Sequence, residues 1–161
     1  MQALPLASLQ ARLRREIEGD VLFEAGDRGR YSTDASIYQI EPLGVVVPRT
    51  DADALRALEI AAEVGVPLLP RGAGTSQCGQ TVAAALVLDT SKHLNRLLDV
   101  DVANRTAWVE PGLVLDELNA RLKPHGLWYP VDVSTSAQGR TISSSTPPIW
   151  QPTSVPSSPP C

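Results

Sequence analysis

The chain has 161 residues and a net charge of −4 at neutral pH, enough for one domain with a real core and without the basic surplus a nucleic-acid partner calls for. No apolar run approaches the length needed to span a bilayer, so no transmembrane segment is predicted. The two cysteines, Cys78 and Cys161, exclude both a disulfide framework of the secreted kind and a four-cysteine metal site.

In chain order, Leu9, Leu13 and Ile17 line one face of a helix within residues 1–19, with Ser8 as its cap and Gly19 just past its end. Arg12, Arg14, Arg15 and Glu16 separate those apolar residues along the sequence, which excludes a signal-peptide core and predicts a cytoplasmic protein. Residues 20–43 are mixed, with turn signals at Gly26-Asp27 and Gly29. Val45-Val46-Val47, bounded by Gly44 and Pro48, predicts a buried strand. Thr50 and Asp53 have capping-box-like spacing before a helix over 52–64, on which Leu55, Leu58 and Ala62 share a face and which Gly65 stops. Val66 to Leu69 predicts the next strand and Leu86 to Leu88 another. Leu94 to Val100 and Thr106 to Glu110 are further strand candidates. After the Pro111-Gly112 turn, Leu115, Leu118 and Leu122 repeat at helical spacing, with Asp116, Glu117, Asn119 and Arg121 facing away and Pro124 ending the helix. This order predicts an α+β chain of two lobes, the second incomplete.

Between two of these strands lies Pro70-Arg71-Gly72-Ala73-Gly74-Thr75-Ser76-Gln77-Cys78-Gly79-Gln80. Glycine reaches positive φ without a Cβ penalty, so several N–H groups can converge on one point and bind an anion. The hydroxyls of Thr75 and Ser76 add donors. A Walker A loop is excluded because no lysine occurs between Arg71 and Lys92, and the spacing G-x-G-x-x-x-x-G departs from the Rossmann fingerprint. A nucleotide diphosphate is the ligand this segment suggests; a glycine-rich connection without a ligand is the alternative. Cys78 reads as a small filler. His93 and His125 read as surface or loop residues, and Trp108 and Trp128 as core or lobe-interface residues.

Five ordered segments carry a resemblance: Tyr31 to Ser36, Pro42 to Pro48, Pro70 to Gln80, Val109 to Gly112 and Gly126 to Ser134. Over roughly residues 20–138 they resemble the FAD-linked oxidases of the vanillyl-alcohol oxidase and p-cresol methylhydroxylase type (PCMH-type), and among these bacterial D-lactate, glycolate and D-2-hydroxyglutarate dehydrogenases. The resemblance implies a PCMH-type FAD-binding domain with its first lobe complete and its second truncated. It also implies non-covalent FAD, because neither histidine stands in an attachment motif, and oxidation of a 2-hydroxy acid with hydride transfer to the flavin.

The resemblance implies cofactor roles for Arg71, Gly72, Ala73, Gly74, Thr75, Ser76 and Gly79 at the pyrophosphate. Pro130, Asp132 and Ser134 would border the cofactor. Arg71 either supplies charge or points to solvent, and Asp132 is otherwise an ordinary loop residue. No catalytic residue and no metal ligand are assigned. The resemblance departs at Thr141-Ile142-Ser143-Ser144, where the family has a glycine pair. Residues 139–161 contain 15 Ser, Thr or Pro among 23, which predicts a disordered tail. The break near Gln138 is read as truncation or a frame shift, against a native tail. The domain reading is thus 1–19 helix, 20–138 partial FAD-binding domain and 139–161 tail. The 2-hydroxy acid would be a ligand only of a full-length parent, and the isolated chain is expected to be inactive. A non-catalytic interaction module or a nonfunctional product is the competing reading.

Overall fold

The computed structural model describes residues 6–131 together with 134, 135 and 137. Asp132, the Thr141-Ile142 departure, the tail 139–161 and Cys161 lie outside the described residues.

Four strands form the main sheet: β1 (Asp20–Leu22), β2 (Gly44–Val47), β3 (Leu68–Arg71) and β4 (Leu86–Asp89). Their order is β1-β2-β4-β3, with β1 antiparallel to β2 and the other three strands parallel. A central β-branched run such as Val45-Val46-Val47 suits this position, because a strand covered on both faces tolerates apolar side chains at every residue. Val46, Leu86 and Leu88 face α1 (Leu6–Glu16) and α3 (Asp51–Val64), where Leu13 and Ile60 are fully buried. Burying one such side chain stabilises the fold by about 1.5–3 kcal/mol. Val45, Val47 and Val87 face the other way, toward Leu22, Tyr31 and Leu69.

Several local expectations need correction. Ser8 lies inside α1 rather than capping it. Gly26 and Gly29 fall within a short helix, α2 (Ala25–Arg30), not in turns. On α3 the buried face is Ala57, Ile60, Ala61 and Val64; Leu55 and Leu58 are exposed and so is Ala62. Small residues on that face let the helix lie close to the sheet. The Thr50 cap is present, its Oγ1 accepting from Asp53 N–H at 3.1 Å. The Asp53 carboxylate instead accepts from the N–H groups of Arg49 and Glu18, at 2.9 and 3.0 Å, and so ties the end of α1 to the start of α3.

The second unit is smaller. β5 (Leu97–Asp101) and β6 (Thr106–Val109) form an antiparallel hairpin, and α4 (Leu115–Leu122) packs on it through Leu118 and Leu122, with Leu113 and Leu127 completing the core. Asn119 is buried on this face rather than turned outward. Lys123, before Pro124, keeps helical dihedrals, and the chain continues through one 3-10 turn, Lys123–His125, before turning at Gly126. Trp108 and Trp128 are exposed, not core. Arrangement and order bear out an α+β fold with two lobes.

Candidate functional site

Parallel neighbours β3 and β4 require a crossover, and residues 72–85 provide it without a helix. The glycine segment therefore begins at the carboxyl end of a parallel strand. Ligands of open α/β sheets collect there, because backbone groups are left over where strands end. Gly74 and Gly79 both adopt the left-handed conformation, with φ of 69° and 71°. The N–H groups of Gly72, Ala73, Gly74 and Thr75 bond to no other group among the described residues. Gly72 is buried and Gly74 half-buried. Unpaired donors in such a place fit an anionic ligand that would satisfy them, so the loop is suited to a pyrophosphate group.

Ser76 also shapes the loop, with its O–H still able to donate. Its Oγ accepts from the N–H groups of Cys78 and Gln80, both at 3.2 Å, which closes the second half of the loop on itself. Cys78 is exposed on that closed turn. A Cβ at Gly79 would lie 2.5 Å from the Tyr38 ring, so the glycine admits the ring against the loop.

Arg71 does not point to solvent. It is 9% exposed, and its guanidinium is fixed by three backbone carbonyls. Nη1 donates to Tyr31 O at 3.3 Å and Thr81 O at 3.0 Å, and Nη2 donates to Thr33 O at 2.8 Å. The guanidinium also lies 5.3 Å from the centroid of the Tyr31 ring. These contacts make residues 31–40 a strap across the glycine loop. Ala35 N–H donates to Gly74 O at 3.0 Å, and Asp34 accepts from Thr81 Oγ1 at 2.9 Å and from Ser36 N–H at 2.9 Å. Burial opposes ionisation of Asp34, but the bonds from Ser36 and Thr81 outweigh it and hold the carboxyl below its ordinary range. Tyr31 donates its hydroxyl to Asp89 at 2.7 Å, and burial first, then this bond, pushes its pKa upward. The phenol thus stays protonated and the strap stays attached to the end of β4.

The second lobe contributes the segment after α4. Asn119 holds it in two ways: Oδ1 accepts from Tyr129 N–H at 2.8 Å, and Nδ2 donates to Tyr129 O at 3.4 Å. Pro130 and Ser134 are exposed beyond that clamp. Sequence reasoning placed Tyr31 and Asp34 only within a resembling segment, turned Asn119 outward, and gave no role to Tyr38 or Thr81. The Asn119 signal was available, since it falls four residues after Leu115 and three before Leu122, on the apolar face. His93 lies half-buried in the turn after β4, with Nε2 unbonded among the described residues, and His125 is exposed, in keeping with surface or loop positions. Among the described residues no cluster of His, Cys, Asp and Glu could hold a metal, and no helix is long and apolar enough to cross a membrane.

The family described as FAD binding domain matches residues 42–146. The D-2-hydroxyglutarate dehydrogenase of Pantoea ananatis is 38% identical over 134 residues, covering 81% of this chain and 13% of that protein. The glycolate oxidase subunit GlcD of Bacillus subtilis is 38% identical over 125 residues, covering 74% of this chain and 26% of that protein. Among solved structures, alkyldihydroxyacetonephosphate synthase superposes with a TM-score of 0.73 at 18% identity, over 86% of this chain and 31% of that one. p-Cresol methylhydroxylase superposes with a TM-score of 0.58 at 18% identity, over 75% and 25%. The structural likenesses establish the PCMH-type fold, of which this chain spans a part.

Proposed function

The chain belongs to the FAD binding domain family, and on that premise we propose that it is the FAD-binding portion of a flavin-dependent oxidoreductase acting on a 2-hydroxy acid such as D-lactate or glycolate. The single observation that carries this reading is the set of N–H groups at Gly72, Ala73, Gly74 and Thr75, at the carboxyl end of β3, that have no partner among the described residues. These amides hold the pyrophosphate, Ser76 keeps the loop closed, and Gly79 lets Tyr38 seat beside it. Pro130, Asp132 and Ser134 are assigned to the border of the cofactor by the same reading, and Asn119 holds Tyr129, the residue before Pro130. FAD is held non-covalently: neither His93 nor His125 belongs to the loop or its strap. The cofactor supplies the hydride acceptor; the chain's own residues bind it and hold it in place.

The chain spans about an eighth of the D-2-hydroxyglutarate dehydrogenase it resembles, so turnover is a property proposed for a longer protein, and the 161-residue chain alone is proposed to bind FAD without oxidising substrate. Titrating the purified chain with FAD while following flavin fluorescence tests the binding. A saturable change is expected; its absence with folded chain sinks the reading. Bleaching of the flavin absorbance by D-lactate, glycolate or D-2-hydroxyglutarate, added anaerobically to a full-length parent, identifies the substrate.

A further inference from the structure

We propose that Asn119 is a positioning residue for the ring end of the cofactor: its side-chain amide fixes the direction in which the chain leaves the second-lobe core at Tyr129, and so where the stretch beginning at Pro130 meets the flavin. The inference rests on the FAD reading and deepens it with a division of labour, in which the glycine loop serves the diphosphate and Asn119 serves the ring. Asn119 is 5% exposed and sits on the apolar face of α4 with Leu115, Leu118 and Leu122. An amide in such a place costs stability unless its hydrogen bonds are made. Both of its bonds go to the backbone of one residue, Tyr129: Oδ1 accepts from its N–H at 2.8 Å, and Nδ2 donates to its carbonyl at 3.4 Å.

A donor and an acceptor met together on one residue are what a neighbouring antiparallel strand supplies. The asparagine supplies them at a residue that lies in no strand. Other restraints converge on the same residue. The chain reverses at Gly126, and Leu127 N–H donates to Leu122 O at 3.3 Å, which brings the segment back along α4. Tyr129 packs against the core of Leu113, Leu118, Leu122 and Leu127. Pro130 follows, so Tyr129 is biased toward extended backbone and the next φ is locked. Pro130 and Val131 are exposed directly after this fixed point. Apolar packing of Leu127 and Tyr129 already fastens the segment to the lobe. What the two amide bonds add is orientation, because hydrogen bonds are directional and apolar contacts are not. Loss of Asn119 leaves the loop amides of the first lobe untouched, so the diphosphate keeps its partners and only the ring end is loosened.

Titrations of the wild-type chain, Asn119→Leu and Asn119→Asp with FAD and ADP test this, with the visible absorption of the bound flavin recorded for each. The wild-type chain is expected to bind FAD more tightly than ADP. Asn119→Leu keeps the side-chain volume but leaves the Tyr129 N–H and carbonyl without these partners. It is expected to weaken FAD about tenfold, the scale of the two hydrogen bonds lost, to leave ADP affinity unchanged and to move the flavin absorption toward that of free FAD. Asn119→Asp, which retains the acceptor for Tyr129 N–H, recovers part of the loss. Equal weakening of FAD and ADP, or no weakening of either, overturns the proposal and leaves Asn119 a structural tie. Should Asn119→Leu fail to fold, the Tyr129 N–H resonance of the wild-type chain decides: it shifts with FAD and stays in place with ADP if the proposal holds. A resonance that neither ligand moves, or that both move alike, overturns it. A wild-type chain that binds neither FAD nor ADP removes the functional reading and this inference together. A wild-type chain that binds FAD no more tightly than ADP removes this inference alone.

Discussion

Two arginines organise the two lobes, and their partners differ in kind. In the second lobe Arg96 meets Glu110, a carboxylate only 2% exposed, which accepts from Arg96 Nε at 2.9 Å, from Nη2 at 2.6 Å and from the Arg96 N–H at 2.7 Å. The charge is neutralised and the carboxylate's acceptors are used, so the lobe closes on itself. In the first lobe Arg71 is held by three carbonyls and the face of Tyr31, beside a loop in which the N–H groups of Gly72 to Thr75 have no partner among the described residues. Unequal satisfaction separates a structural joint from a place that fits a ligand. Four N–H groups without a partner among the described residues, beside a cation without a carboxylate among them, fit a ligand that would complete them.

The largest expected effect comes from filling the contact between Gly74 and Arg71. Gly74→Ala forces a side chain into positive φ, a strain of about 1–2 kcal/mol, and drives its Cβ into the guanidinium. FAD affinity measured by fluorescence titration should fall by about tenfold or more, because the added methyl displaces the loop amides proposed to hold the pyrophosphate, while the strain itself appears as lost stability. Gly126→Ala is the matched control. Gly126 has the same φ of 69° but nothing within 4 Å of its Cβ position. That variant should lose about 1 kcal/mol of stability and far less FAD affinity. Equal effects at the two glycines would show that backbone strain alone accounts for Gly74.

The closed joint should answer to pH instead of ligand. Burial opposes ionisation of Glu110, but the bonds from Arg96 prevail and lower its pKa below the ordinary 4.5. A depressed folded-state value means that the carboxylate contributes stability above pH 4.5, and that this is lost as pH falls from there through the lowered value. Glu110→Gln should cost about 1–2 kcal/mol at neutral pH by urea denaturation and flatten the stability profile below that point. FAD affinity should change little, since the joint lies in the other lobe. Glu16, drawn down to about 2 chiefly by its bond from Arg56, titrates over the same acid window and supplies the residual slope.

Element order and the glycine loop were legible because they depend on local chemistry. The Val45-Val46-Val47 run sits where its branching predicts, and Gly72 to Gly79 forms a loop because no other residue so readily takes the φ that Gly74 and Gly79 adopt. The site's reinforcement was not legible. Arg71 finds its acceptors 38, 40 and 10 residues away, on carbonyls that every sequence possesses. The strap at 31–40 has no periodicity, and its bonds to Arg71, Gly74, Thr81 and Asp89 join residues far apart in sequence. The α3 face failed for another reason. Leu55-Leu58-Ala62 and Ala57-Ile60-Ala61-Val64 both keep helical spacing, and hydrophobicity favours the leucines, while close approach to a sheet favours small and branched side chains.

That ambiguity yields the smallest effect, and it calibrates the rest. Leu55 is 57% exposed, so Leu55→Gln moves little apolar surface into water and should change stability by less than about 0.5 kcal/mol. Ile60 is fully buried against α1 and the sheet, and Ile60→Val, which removes one methylene, should cost about 1 kcal/mol. Neither change touches either arginine, so neither should alter FAD affinity beyond the fraction unfolded. If Leu55→Gln destabilises the chain as much as Ile60→Val does, the outer face of α3 is covered in solution. The two arginine tests would then have to be repeated with whatever covers it in place, because a surface taken here as solvent would be part of the fold that holds both joints.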